Sequence, residues 1–196
     1  MHKIRNVKQL NELTLFLISN VSNKFSYNNI RKMFNFGSTN SVSKFISFLE
    51  ESYLLFSLSK FDYSLKKQIV NPKKIYAVDN GLITHNSKTF SDDLGKLLEN
   101  AVFISLKSKQ KELFYFNDTK ECDFVVRTSL RIEKAYQVCY ILDDFNKERE
   151  IGGLIEALKK FNLKEGIILT MNQHDVLKIE GKKILIMPTW KWMLKN

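Results

Sequence analysis

Apolar residues recur at helical spacing through the first fifty residues of the chain. The pattern predicts a helix up to about Asn20, a second helix capped by Ser26, and a third helix capped by Ser38 or Thr39. Two β-prone segments follow, from Tyr53 to Phe61 and from Gln68 to Val78. Three helices followed by a hairpin predict a winged helix.

The second half alternates helical and strand patterns. Ser91 is expected to cap a helix with Asp92 and Asp93 in its first turn, and Glu99 lies within the apolar stripe of that helix. Strands are predicted at 112–116, 122–127, 133–142, 166–171 and 183–187, with a helix at about 148–161 and a closing aromatic tail containing Trp190 and Trp192. This order predicts an α/β sandwich with a central mixed sheet.

Composition narrows the class of protein. The chain has 196 residues and 44% apolar content, enough for two small cores, but its longest apolar runs fall well short of the roughly 20 residues of a membrane span. We therefore expect a cytoplasmic protein without a membrane partner. Its two cysteines and three scattered histidines supply neither a disulfide framework nor a zinc cluster.

The positive charge is concentrated in the first half. Residues 1–90 hold 13 Lys and Arg against 5 Asp and Glu, whereas residues 91–196 hold 18 against 16. Clustered positive charge is typical of a protein that binds a polyanion such as DNA. Ordinary solvating charge explains the same count, and both interpretations stay open.

A winged helix places its third helix in a DNA major groove and its hairpin on phosphates. The side chains predicted to make those contacts are Asn40, Ser41, Ser43, Lys44, Lys60, Lys66, Lys67, Lys73 and Lys74. No arginine, the commonest reader of guanine, projects from the third helix, so DNA recognition is expected to be sequence-unspecific. Alternatively, this surface packs against a neighbouring domain.

Several motifs carry a family resemblance. They are a KxYxxDxGL phrase at 74–82, Leu98-Glu99-Asn100, an ExDFV phrase at 121–125, and Gln137-Val138-Cys139. The chain resembles the C-terminal region of prokaryotic AAA-type ATPases, in which a P-loop ATPase module precedes a winged helix and a domain similar to the PD-(D/E)xK nucleases. The resemblance implies a winged-helix domain at 1–85 and a restriction-endonuclease-like α/β domain at 86–196.

The resemblance also assigns the nuclease positions. Glu99 matches the helix glutamate and Asp123 the metal-binding aspartate, while Gln137 stands in place of the second carboxylate and Cys139 in place of the lysine. A thiol is uncharged at neutral pH, so we expect the site to lack its permanent cation. Lys134 is predicted to point away, and Glu121 and Glu133 are interpreted as surface charges.

Three functions follow from this pattern. The leading hypothesis is a non-catalytic module that binds nucleic acid or a protein partner and acts with an ATPase module in cis or in trans. The first alternative is a degenerate nuclease dependent on Mg²⁺ or Mn²⁺, and the second is a pure protein-interaction domain. The sequence has no P-loop, so we expect no nucleotide cofactor, and a fragment of a longer protein is the favoured interpretation.

Overall fold

The first half of the chain builds helices around a small antiparallel sheet. The computed structural model describes residues 7–86, 94–109 and 112–195. The elements up to residue 86 are α1 (Val7–Ser19), β1 (Lys24–Phe25), α2 (Tyr27–Met33), α3 (Thr39–Glu51), β2 (Leu55–Ser59), α4 (Leu65–Val70), β3 (Lys73–Ala77) and α5 (Asn80–Asn86). The three strands pair in the order β1-β3-β2, which makes β3 the central strand.

Serine caps begin α2 and α3 where the sequence predicted them. Ser26 Oγ accepts the backbone N–H of Asn29 at 3.2 Å, and Ser38 Oγ accepts that of Ser41 at 3.1 Å. Each cap satisfies a donor that the first turn of a helix otherwise leaves without a partner. The predicted starts of these two helices are confirmed.

The predicted strand from Gln68 to Val78 is wrong in its first part. Residues 65–70 form α4, because Ser64 Oγ accepts the backbone N–H of Lys67 and so starts a helical turn. Pro72 then follows, and the chain enters β3 at Lys73. The β-prone composition of Ile69 and Val70 was therefore overridden by a local cap.

The second half forms one six-stranded mixed sheet with helices on both faces. Its elements are α6 (Leu94–Lys107), β4 (Glu112–Asn117), β5 (Glu121–Thr128), β6 (Arg131–Val138), α7 (Lys147–Lys160), β7 (Glu165–Thr170), β8 (Asp175–Ile179), β9 (Lys182–Pro188) and α8 (Thr189–Lys195). The strand order is β4-β5-β6-β7-β9-β8, with parallel pairing only at β6/β7 and β7/β9. A central mixed sheet is thus confirmed.

Several details of the second half differ from the sequence prediction. Strand β8 was missed, because its side chains are mostly exposed and give no apolar run. The predicted aromatic tail is the helix α8, in which Trp192 is buried. The predicted cap at Ser91, with Asp92 and Asp93, lies outside the described residues.

Two apolar clusters cover the two faces of the six-stranded sheet. One packs α7 against β5, β6 and β7 and includes Cys122, Leu154 and Ile168. The other is continuous between the two halves, since it joins Leu17 and Ile75 of the first half to Phe124 of β5. The three-stranded sheet therefore packs directly beside the larger sheet. Among the residues described, no helix is both long and apolar enough to cross a bilayer.

A close contact fixes α7 against β5. A Cβ added at Gly153 would lie 1.8 Å from the backbone carbonyl oxygen of Glu121, a distance that no side chain tolerates. The absence of a side chain lets the helix approach the strand closely. This contact lies beside the polar residues of β5.

Candidate functional site

A lysine from the first half lies at the centre of the polar residues of the second half. Lys74 is on β3, with a side chain only 3% exposed. Its Nζ lies 2.7 Å from Glu121 Oε1, 2.8 Å from Asp123 Oδ1 and 3.0 Å from Glu99 Oε1. We call these four residues the carboxylate centre. The prediction that Lys74 lies on an exposed wing is wrong.

Glu99 comes from α6 and accepts a second strong hydrogen bond. Tyr76 follows Lys74 by two residues on β3, and its hydroxyl donates to Glu99 Oε1 at 2.6 Å. Burial, together with the negative charge of Asp123, raises the pKa of Glu99 to about 7 although Lys74 opposes the shift. Burial and the Glu99 charge also raise the pKa of Tyr76 well above its ordinary value.

The neighbouring residue on α6 ties this helix to the strand that carries Lys74. Asn100 is fully buried, and its amide bonds both backbone groups of Ala77, accepting from the N–H at 2.9 Å and donating to the carbonyl at 3.1 Å. A two-way amide bond of this kind fixes the position of α6 along β3. Glu99 is thereby positioned against Lys74.

Asp123 has both carboxylate oxygens engaged. Its Oδ1 accepts from Lys74, and its Oδ2 accepts the backbone N–H of Val138 on β6 at 3.0 Å. Asp123 is buried on β5, between β4 and β6. The strand position of Asp123 was predicted from sequence, but its two donors were not.

Gln137 is also fully engaged. Its Nε2 donates to Glu150 Oε2 at 2.6 Å, and its Oε1 accepts the backbone N–H of Asp123 at 3.3 Å. An ionised carboxylate can only accept, so Glu150 holds the amide nitrogen on its side and leaves the carbonyl oxygen facing Asp123. Burial raises the pKa of Glu150, while Arg149, whose Nε donates to Glu150 Oε1 at 3.0 Å, opposes that shift.

Cys139 lines the same cavity as the carboxylate centre. It belongs to the apolar cluster under α7, and burial raises the pKa of its thiol to about 12. The expectation that the thiol is uncharged holds on this ground. The expectation that the pocket therefore lacks a permanent cation is wrong, since Lys74 supplies an ammonium group from another strand.

Glu121 is part of the centre and is not a surface charge, which corrects its interpretation from the sequence. Its side chain is 28% exposed and pairs with both Lys74 and Lys24. Burial alone would raise the pKa of Glu121, but these two cations hold it below its ordinary value. Glu121 and Asp123 are two residues apart on β5, so strand alternation places both side chains on the same face, towards Lys74.

The carboxylate centre lines a cavity of about 600 Å³. Other lining residues include Ser22, Lys96, Tyr140, Asn146 and Arg149. The cavity thus carries the three carboxylates together with three cationic side chains, those of Lys74, Lys96 and Arg149. Such a cavity is large enough for a small polar group.

The centre does not fit a divalent metal ion. In the described parts of the chain, no three His, Cys, Asp or Glu side chains are arranged to hold one. The oxygens of Glu99 and Asp123 that face each other are bonded to an ammonium group. Gln137 Oε1, the remaining candidate ligand, faces a backbone N–H.

The residues predicted to bind nucleic acid are divided by the fold. Asn40 and Lys44 of α3 and Lys66 and Lys67 of α4 are exposed, and we call these four residues the basic surface. Ser41, Ser43 and Lys60 are half-buried. The last two predicted lysines differ: Lys74 is buried, and Lys73 is half-buried, with its Nζ donating to Ser59 Oγ at 2.9 Å and to the Gln68 carbonyl at 3.3 Å.

Sequence reasoning missed three residues of the site. Lys74 and Tyr76 were signalled by the KxY spacing, since residues two apart on a strand share a face. Glu150 had no such signal, because an acidic residue in the first turn of a helix ordinarily interacts with the helix dipole. Its burial follows only from the close packing of α7 on β5.

The sequence of this chain is similar to a family of unknown function and to uncharacterized proteins. Residues 1–93 match the family described as "Domain of unknown function (DUF8612)". An uncharacterized protein of Methanocaldococcus jannaschii is 33% identical over 211 aligned residues, which cover 98% of this chain and 46% of that protein. An uncharacterized protein of Haemophilus influenzae is 27% identical over 157 residues, covering 78% of this chain and 37% of that protein. The chain thus spans less than half the length of these curated relatives.

Proposed function

We propose that this chain is a non-catalytic module that binds duplex DNA without sequence preference and works with an AAA-type ATPase module. One observation carries the non-catalytic part: all four nuclease-like positions are already engaged within the protein. Glu99 and Asp123 bind Lys74, Gln137 bonds Asp123 and Glu150, and Cys139 packs among apolar side chains.

The order of elements in the first half supports a winged helix. Three helices precede the antiparallel pair β2/β3, whose connection contains α4, and the short strand β1 pairs with the other side of β3. In a winged helix, α3 is the helix that enters the major groove. The order of Glu99 on a helix and Asp123 on the following antiparallel strands similarly supports a nuclease-like ancestry for the second half.

The basic surface supports DNA as the ligand. Lys44, Lys66 and Lys67 are exposed and available to phosphate, and Asn40 is exposed at the start of α3. Lysine is a point charge that contacts phosphate without reading bases, so binding governed by these residues is insensitive to sequence. The surplus of positive charge in residues 1–90 acts in the same direction.

The ATPase part of the proposal is supported by the motif resemblance and by the length of the relatives. The two curated relatives have more sequence than this chain matches, since the alignments cover 46% and 37% of them. That length leaves room for a nucleotide-binding module in the same polypeptide.

Fluorescence anisotropy tests DNA binding directly. Two labelled duplexes of unrelated sequence are titrated with the full chain between low and moderate salt. We expect equal affinity for both duplexes and a linear fall of log affinity with log salt. Absence of binding at low salt, or affinity indifferent to salt, would remove DNA and leave a protein partner as the ligand.

A degenerate nuclease is the second candidate, and one observation favours it. The Lys74 ammonium lies beside Glu99 and Asp123, so the cation that a nuclease needs is present in the pocket. Incubation of supercoiled DNA with Mn²⁺ and either wild type or Asp123→Asn decides between the candidates. Cleavage by wild type that Asp123→Asn abolishes would establish the nuclease and overturn the non-catalytic module.

A further inference from the structure

The carboxylate centre gathers three acidic side chains around one buried ammonium group. We infer that the Lys74 ammonium is the resident cation of this centre and takes the place of a divalent ion. The wild-type centre then excludes Mg²⁺ and Mn²⁺, and it accepts such an ion only when the ammonium is removed. The inference rests on the proposed non-catalytic function and names the side chain that keeps a metal ion out of the site.

The ammonium is matched to its surroundings in number and distance. Lys74 Nζ has three N–H groups, and the three carboxylates of Glu99, Glu121 and Asp123 each place one oxygen 2.7–3.0 Å away. The group is 3% exposed, so water contributes little to its solvation. The three carboxylates therefore supply what a hydration shell would otherwise provide.

A divalent ion would compete with the ammonium for these oxygens. Glu99 Oε1 and Asp123 Oδ1 already accept from Lys74 Nζ at 3.0 and 2.8 Å. An ion that binds the same two oxygens brings a second positive charge close to the ammonium inside the protein, and repulsion between the two cations opposes its binding.

The backbone of Lys74 is held on both sides. In the three-stranded sheet, Lys74 is paired with Lys24 of β1 on one side and with Leu58 of β2 on the other. Two residues on, Tyr76 stacks on Phe103 of α6 with ring centroids 4.1 Å apart. The strand that carries the ammonium is thus fixed against the helix that carries Glu99, and the ammonium is not readily displaced.

Removal of the ammonium changes the charge balance of the centre. Three carboxylates then face one another with only Lys24 paired to Glu121. Excess negative charge in a buried site attracts a divalent cation, and the space left by the lysine head group provides room for it. Lys74→Met removes the charge while it keeps the length of the apolar stem.

Mn²⁺ binding to the full chain, followed by electron paramagnetic resonance, tests the inference. We expect wild type to show no saturable Mn²⁺ site, and Lys74→Met to bind one Mn²⁺ per chain with a dissociation constant at least about tenfold below the highest Mn²⁺ concentration in the titration. The double variant Lys74→Met/Asp123→Asn should lose the acquired site. Lys73→Met, which removes the adjacent lysine, should behave as wild type.

Two results would overturn the inference. One is wild-type binding of a single Mn²⁺ that Asp123→Asn abolishes, and the other is a folded Lys74→Met variant that acquires no Mn²⁺. If Lys74→Met does not fold, the comparison of wild type with Asp123→Asn still decides the matter. If wild type binds Mn²⁺ at this site but does not cleave DNA, only this inference is refuted. If wild type also cleaves DNA in the presence of Mn²⁺, the proposed non-catalytic function is refuted as well.

Discussion

The carboxylate centre and the basic surface use the same residue type in opposite ways. Lys74 is buried among three carboxylates, whereas Lys66 and Lys67, a few residues earlier, are exposed. Lys73 lies between these extremes, half-buried and bonded to neutral oxygens, and burial lowers its pKa. A count of lysines in this segment therefore mixes a buried structural cation with exposed ones, of which Lys67 pairs with Asp62 at 3.9 Å.

The difference follows from strand geometry. Adjacent residues of β3 point to opposite faces, so Lys74 and Tyr76 face α6 and β5 while Lys73 faces β2 and α4. Removal of a charge from the first environment costs several kcal/mol because its buried partners are left without a counter-charge, whereas removal of an exposed charge changes stability little.

The largest effect is expected from Lys74→Met. Removal of one partner leaves Glu99 and Asp123 buried beside each other without their cation, a change that typically costs about 3–5 kcal/mol of unfolding free energy. The matched variant Lys73→Met removes hydrogen bonds to Ser59 and Gln68 only and should cost about 1 kcal/mol. Urea denaturation measures both, and equal losses would contradict the contrast between the two lysines.

The second effect tests how the centre is framed by α7. Gly153→Ala places a methyl group against the Glu121 carbonyl, so helix and strand must separate, at a cost of about 3 kcal/mol. At the adjacent Gly152 the added methyl meets only the flexible end of Lys120. Gly152→Ala should therefore be neutral, or stabilising by up to about 1 kcal/mol through helix propensity. Thermal unfolding of both variants checks the pair, and similar melting temperatures would argue against the close contact.

Much of the framework could be predicted from the sequence. The caps at Ser26 and Ser38, the helix carrying Glu99 and the strand carrying Asp123 all have local signals, and all are found near the predicted positions. These elements depend on hydrogen bonds and apolar spacing within a dozen residues, which a single sequence displays.

The centre itself could not be predicted, because its partners are distant in sequence. Lys74 and Asp123 are 49 residues apart, and their contact requires the small sheet to pack beside the large one. The expectation of a missing cation was based only on Cys139, which stands in place of the lysine in the motif. The ammonium group is supplied instead by Lys74, which lies on a different strand, β3. Glu150 likewise reaches Gln137 only because Gly153 allows α7 close to β5.

The third prediction concerns the basic surface. The double variant Lys66→Ser/Lys67→Ser removes two exposed cations and should weaken DNA binding about tenfold at low salt, with the salt slope reduced by about 1.8. Stability should be unchanged, since both side chains are exposed. Lys160→Ser/Lys164→Ser makes the same charge change at two exposed positions of the second half and serves as the control. Equal losses in the two variants would mean that only net charge matters.

The smallest effect concerns the pH dependence of stability. The pKa of Glu99 is raised to about 7 in the folded chain from an ordinary value of 4.5, so the folded state binds more protons between these values. Stability should therefore rise as pH falls from about 8 to about 5, with a slope from this group below about 1.4 kcal/mol per pH unit.

Glu99→Gln isolates that contribution, because glutamine resembles the protonated acid and does not titrate. Unfolding free energies of wild type and Glu99→Gln, measured side by side across this pH range, cancel the contributions of groups common to both. Wild type should lose stability relative to the variant as the pH rises through 7. The opposite trend would mean that the Lys74 cation outweighs burial at Glu99 and lowers the pKa of this carboxyl in the folded chain.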